Sequence, residues 1–267
     1  MKVNKSYLKK ILASVLIAVI GYVTKHNYDE KVEHSTVSNY EGKYDFLPAT
    51  TTGDIIHHNG FSLSYNEKHE QAEWLAYYLS DTDISYVTRK RPYFVEDPKV
   101  TTRSASWKNY KNSGYDKGHL CPAADKKYDE RLYHETFYTS NVSPQLHAFN
   151  AGVWNKLENK IRYWAKKYHH LYVITGGVFN GDLKTIGREK VSVPNAFYKI
   201  ILDCEQPEMK AIAFLIPHKK TNQPLYHFVV SIDELETLTG IDFFKNLPEQ
   251  TQNILETEAN YKEWSFR

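Results

Sequence analysis

The chain has 267 residues, 41% of them hydrophobic and 25% charged, with a formal net charge of +2. That length suits one large domain, and that apolar share excludes an intrinsically disordered chain. Residues 1–27 hold five lysines and no acid, so the rest of the chain carries about −3, which excludes binding of polyanions through bulk charge alone.

At the N-terminus, Lys2, Lys5, Lys9 and Lys10 precede an apolar run, ILASVLIAVIGYV, from Ile11 to Val23. The run has the length of a signal-peptide core and is short for a full membrane span. No clean small-x-small cleavage site follows it, so residues 1–27 read as a signal peptide or an N-terminal membrane anchor. The chain is therefore expected to be exported: periplasmic, secreted, or in contact with a membrane through residues 8–23. Residues 28–46 read as a linker and residues 47–267 as one domain.

Phe61, Leu63 and Tyr65 alternate as in a strand, and EWLAYYL (73–79) reads as a second. Residues 81–118 are loop-rich, with Pro92, Pro98 and Gly114. A strand is expected around Phe137–Tyr138, with Pro144 ending regular structure. In HAFNAGVWNKLENKIRYWAKKY (147–168), Val153, Trp154, Leu157, Ile161 and Trp164 keep the 3-4 spacing of one long helix with a cationic last turn. LYVITGGVF (171–179) reads as a buried strand, and AFYKIILDC (196–204) and MKAIAFLIP (209–217) as two more. A further strand ends at Ser231, where Ser-Ile-Asp-Glu is a helix-start signature. The pattern is α+β, dominated by strands around one long helix. The 21 tyrosines read first as strand residues.

Chemistry concentrates in SGYDKGHLCPAAD (113–125), which sets His119 behind a turn-forming Gly118. His119 could serve as a base, a metal ligand, the partner of a Cys121 nucleophile, or a turn residue. Cys121 and Cys204 are the only cysteines; an exported protein could pair them, but without CxxC or Cys/His spacing they make no zinc site. No oxyanion-hole motif accompanies Cys121. The histidines at 57–58 and 169–170 lack metal-cluster spacing, and His134, His147, His218 and His227 read as surface or strand residues.

Cutting a phosphodiester needs a base near neutral pKa to activate water, and positive charge to stabilise the transition state. Magnesium prefers hard oxygen ligands and keeps several waters. On a regular helix Asn150, Trp154 and Glu158 would advance about 40° per step and share a face, so an amide oxygen and a carboxylate could address one ion. Their ordinary readings are a helix cap for Asn150 and a solvated carboxylate for Glu158. Residues 89–117 hold eight cations against three acids, which suits a phosphate-bearing substrate.

DKGHL, then SNVSPQ, then NAGVWNKLE occur in order and at fitting separations. Together they resemble the DNA/RNA non-specific endonucleases with a ββα-metal (His-Me) finger, whose signature runs Asp-Arg-Gly-His, Ser-Asn-x-x-Pro-Gln and Asn-x-x-x-Trp-x-x-x-Glu. The resemblance extends from about Leu47 to about Pro248. It implies a central, mostly antiparallel sheet with helices packed on it. It also implies a Mg²⁺-dependent hydrolase, with Mn²⁺ as a substitute, that cuts DNA and RNA to 5′-phosphate ends; export is expected from the N-terminal run alone. By the same resemblance His119 is the general base and Asn150 the direct metal ligand. Glu158 holds a water of the metal from outside, Asn141 orients the site, and Asp116 braces the turn carrying His119. Arg91, with Arg89 as the alternative, grips the phosphate. Lys117 stands where the family has arginine, which keeps the charge but loses the bidentate fork. The alternatives are a phosphodiesterase of small phosphoesters and a non-catalytic nucleic-acid-binding module on the same fold.

Overall fold

The computed structural model describes residues 45–52, 54–204 and 209–266. The targeting, anchor and linker readings fall almost entirely on residues 1–44, outside the described residues. A compact unit begins at Phe46.

In chain order, β1 (Ile55–His57), β2 (Ser62–Asn66) and β3 (Gln71–Ser80) open a sheet. β4 (Asp116–His119) and β5 (Val142–Gln145) make a separate ladder, with α1 (Glu130–Glu135) between them. α2 (Asn155–Tyr168) leads into β6 (His170–Val178), and β7 (Thr185–Ile186) and β8 (Val191–Ser192) form a small pair. β9 (Ala196–Asp203), β10 (Lys210–Pro217) and β11 (Val229–Val230) complete the large sheet, and α3 (Ile232–Thr239) and α4 (Glu249–Glu256) follow. The large sheet has the order β1-β2-β3-β6-β9-β10-β11, and each neighbouring pair is antiparallel. This is the α+β architecture expected.

Successive strand residues point to opposite faces. Leu75, Tyr77, Val173, Phe197 and Ile201 belong to the core that takes Leu157, Ile161, Trp164 and Ala165 of α2. Each such aliphatic or aromatic burial stabilises by roughly 1.5–3 kcal/mol. Tyr198, on the opposite face from Phe197, meets Phe243 with ring centroids 5.4 Å apart. Ser231 caps α3, its Oγ accepting the Glu234 N–H at 3.1 Å.

Two local expectations change. Phe137 and Tyr138 form no full strand: Tyr138 makes only an isolated parallel bridge with Val95, and Phe137, in the turn after α1, is buried against Phe94, Tyr133 and His119. Pro144 does not end regular structure but lies inside β5, opposite Lys117. A two-stranded ladder consists of edges alone, where a missing N–H is tolerated.

The long helix also starts later than its periodicity suggests. His147–Phe149 is a single turn, Asn150–Trp154 is a wide π turn, and regular α2 begins at Asn155. Gly152 carries φ −97° and ψ −112°, outside the helical region, which a residue without Cβ accepts most easily. Asn150 and Trp154 therefore do not share a face: Trp154 is fully buried, stacked on Phe149 and packed against Phe197, while Asn150 is half-buried.

Candidate active site

His119 closes β4, paired with Val142 in a register that also sets Lys117 opposite Pro144 and Asp116 opposite Gln145. Gly118 belongs to this strand and makes no turn. A Cβ there would lie 2.2 Å from the Gln145 side chain, so glycine is required by the close approach of β5. Strand alternation turns Lys117 and His119 to one side. There the His119 ring lies 5.4 Å from Phe94 and 5.2 Å, edge-on, from Phe137. Lys117 Nζ stands 5.3 Å from the same Phe94 ring.

His119 Nε2 is buried and has no hydrogen-bond partner among the described residues. Burial, and after it the charge of Arg91, hold the imidazole well below its ordinary pKa, at about 3. The ring is therefore neutral at physiological pH, as a base must be, but in the free protein it lies well below the near-neutral range that proton abstraction from water calls for. Arg91 sits over the same aromatic pair, its Cζ 5.7 Å from the Phe94 centroid and 5.5 Å from that of Phe137. Arg89 is committed elsewhere: it donates to the Lys127 and Tyr128 carbonyls at 2.7 and 3.2 Å and lies 3.7 Å from Glu130.

Asn141 is fully buried and fastens the chain just beyond His119. Its Oδ1 accepts the Cys121 N–H at 2.8 Å, and its Nδ2 donates to the Cys121 and Thr136 carbonyls at 3.0 and 2.8 Å. Its own carbonyl accepts the Leu120 N–H at 2.9 Å. Asp116 acts at the other end of β4. Its Oδ2 accepts from Asn150 Nδ2 at 2.9 Å and lies 2.8 Å from His147 Nδ1, so its side chain holds Asn150 rather than hydrogen-bonding to His119. Because the NH₂ end of Asn150 is tied, its Oδ1 is the end left to accept. A neutral hard oxygen held in this way, with a carboxylate on the following helix, fits a divalent cation that keeps most of its waters.

That carboxylate, Glu158, belongs to a buried charge cluster. Lys199 is fully buried under α2, where Nζ donates to the Leu120 carbonyl at 3.0 Å and to Thr175 Oγ1 at 3.2 Å, and lies 4.6 Å from the Trp154 ring. Burial raises the Glu158 carboxyl and the nearby Lys199 ammonium opposes the rise; burial likewise lowers Lys199. Asp125 accepts from Arg162 at 2.7 Å and from the Tyr77 hydroxyl at 2.9 Å. Lys199 thus couples Glu158 to the backbone next to His119.

Sequence reasoning missed Lys199, Asp125, Arg162 and Gln145. Three of them left a signal: Arg162 stands four residues after Glu158 on one helix, Lys199 interrupts an otherwise apolar strand, and Gln145 closes the SNVSPQ motif. Gln145 is fully buried beside Gly118, with neither amide atom partnered among the described residues. His218, read from sequence as surface or strand, follows β10 and is half-buried. Its Nε2 accepts the Leu146 N–H at 2.7 Å while Nδ1 donates to the Pro194 carbonyl at 2.8 Å, which fixes the segment leading to Asn150.

Cys121 and Cys204 are both free and buried. Burial pushes the Cys121 thiol far above its ordinary pKa, which removes it as a nucleophile. The basic block divides in space. Arg91 and Lys117 flank Phe94, whereas Lys108 and Lys111 join Arg188 around a cavity of about 660 Å³ between residues 106–113 and 185–189. This cavity does not include His119; Tyr110, under Lys117, adjoins its wall.

The DNA/RNA non-specific endonuclease family profile matches residues 42–250. The chain is 32% identical over 259 residues to the mitochondrial nuclease EXOG of Danio rerio, covering 90% of this chain and 75% of that protein. It is 32% identical over 230 residues to nuclease C1 of Cunninghamella echinulata var. echinulata, covering 80% and 91%. A crystal structure of an EndoG/EndoGI complex, described as showing the mechanism of EndoG inhibition, superposes with a TM-score of 0.70 at 26% identity, covering 75% of this chain and 88% of that one. The profile match and these relatives, on a sheet-and-finger fold of the same kind, establish that this chain belongs to the DNA/RNA non-specific endonuclease family and is a nuclease.

Proposed function

We propose that this nuclease is an exported, Mg²⁺-dependent endonuclease that hydrolyses both DNA and RNA to 5′-phosphate ends. The observation that carries the reading is the neutral, buried Nε2 of His119 beside Arg91 on the β4–β5 ladder.

His119 Nε2 takes a proton from the attacking water, whose oxygen bonds to phosphorus as the bond to the 3′ oxygen breaks. That oxygen leaves as a hydroxyl after protonation from solvent. Arg91 and Lys117, both over Phe94, pair with the phosphate oxygens. The family works with a divalent cation, and Asn150 Oδ1 and Glu158 are the groups that would hold Mg²⁺, or Mn²⁺ in its place. When bound, that cation supplies Lewis-acid stabilisation of the charge growing on the phosphate and the leaving oxygen. Asp116 ties the Asn150 Nδ2 and leaves its oxygen free to accept, and Asn141 keeps the strand end behind His119 in place. In the free protein the charge of Arg91 adds to the depression of His119. A phosphate paired with Arg91 cancels that charge and raises the basicity of the ring at the moment it is needed.

Such contacts address the backbone and carry no sequence information, which accounts for cleavage without base preference. Export rests on the lysine-flanked apolar run at residues 11–23 and is checked by fractionating cells that express the full chain.

Supercoiled plasmid and RNA incubated with the protein, with Mg²⁺ or EDTA, beside a His119→Ala variant, test the mechanism. Cleavage of both polymers by the wild type with Mg²⁺ alone, and by the variant in neither condition, is the expected result. Cleavage of a dinucleotide but neither polymer would favour a small phosphoester as substrate.

A further inference from the structure

α3 and α4 pack against each other and on β10, apart from the β4–β5 ladder. Between them, carboxylate oxygens of Asp233, Glu236 and Glu256 lie within 4.8 Å of one another. Glu256 is the unusual member. Only 6% of it is exposed, and its Oε1 is buried without a hydrogen-bond partner among the described residues. It is the last residue of α4, where the helix dipole disfavours a negative charge. Burial and the neighbouring Glu236, Asp233 and Asp242 raise its carboxyl to about 7. Glu236 accepts the Phe243 N–H through Oε1 at 2.8 Å, which leaves its second oxygen available. None of the three acids has an ion pair among the described residues.

We propose that Asp233, Glu236 and Glu256 form a calcium site that ties α3 to α4. The ligand is a hard dication because all three donors are carboxylates. The spacing falls within the roughly 5 Å that separates opposite oxygens around Ca²⁺, and the exposed Asp233 leaves one side open for the waters that complete its shell.

The test uses the full chain carrying Asn150→Ala, so that the catalytic centre contributes least, stripped of metal and titrated with CaCl₂. Calorimetry is expected to show one Ca²⁺ per chain, with a rise in Tm on the order of 5 °C at a hundredfold excess over Kd. Adding Glu256→Gln is expected to abolish the rise. Should that variant fold poorly, Asp233→Asn at the exposed rim is expected to weaken Ca²⁺ binding tenfold or more. With Asn150 intact, Glu256→Gln keeps its Mg²⁺-supported nuclease activity. The proposal is overturned if Ca²⁺ leaves the Tm unchanged, or if the rise survives both substitutions.

Discussion

Lowering the pH should destabilise this protein through His119 in particular. The native ring stays neutral down to about pH 3, whereas the unfolded chain protonates near 6.5. A cationic group with a depressed native pKa supports stability above its unfolded pKa, and that support is lost as the pH falls below it. The loss is about 1.4 kcal/mol per pH unit, so roughly 2 kcal/mol should disappear between pH 7 and pH 5. Urea unfolding in EDTA at both pH values, for the wild type and for His119→Asn, isolates the effect. The variant keeps a polar group of similar reach that does not titrate, and the other titrating groups cancel in the difference. The wild type should lose about 2 kcal/mol more than the variant. Parallel losses would refute the claim that burial beside Phe94, Phe137 and Arg91 holds this ring neutral.

Lys199→Met should cost about 1–3 kcal/mol, because the Leu120 carbonyl and Thr175 hydroxyl lose a buried donor and Glu158 loses a nearby cation while Asp125 keeps Arg162, and adding Glu158→Gln should recover part of that loss; chemical denaturation of the three proteins reads it. Lys117→Arg should raise kcat/KM about fivefold, the value of one restored charge-assisted bond of about 1 kcal/mol, and a fall in rate would contradict it. Because both thiols are free and buried, a reductant should leave Tm and nuclease activity unchanged, and a drop in Tm would reveal a disulfide.

The strands were legible because alternation and continuous apolar runs mark buried strands, as at Leu63 and Tyr65 in β2, where Ser64 is buried too, and again at 171–178. The ββα finger was less so. Its strands are four residues each, one contains a proline, and its ladder depends on a contact between Gly118 and Gln145 that no local pattern encodes. Periodicity also carried the helix too far toward the N-terminus, since Val153 and Trp154 keep apolar spacing through a turn that is not α-helical. At the candidate site, the resemblance carried by three motifs pointed to His119, Asn141, Asn150 and Glu158. The buried ionic layer beneath them stayed hidden because Lys199 and Asp125 come from separate parts of the chain and meet only through the folded core.

The π turn at Asn150–Trp154 separates two requirements that a regular helix would join. Asn150 is anchored to β4 through Asp116, whereas Glu158 rides on α2 and follows its packing against the sheet. Sequence change in the α2 core can therefore shift Glu158 by fractions of an ångström while Asn150 stays registered to the strand that carries His119. The finger and its supporting helix are thus separately evolvable: drift in the hydrophobic layer adjusts one donor at a time and leaves the remaining donor and the base as a unit.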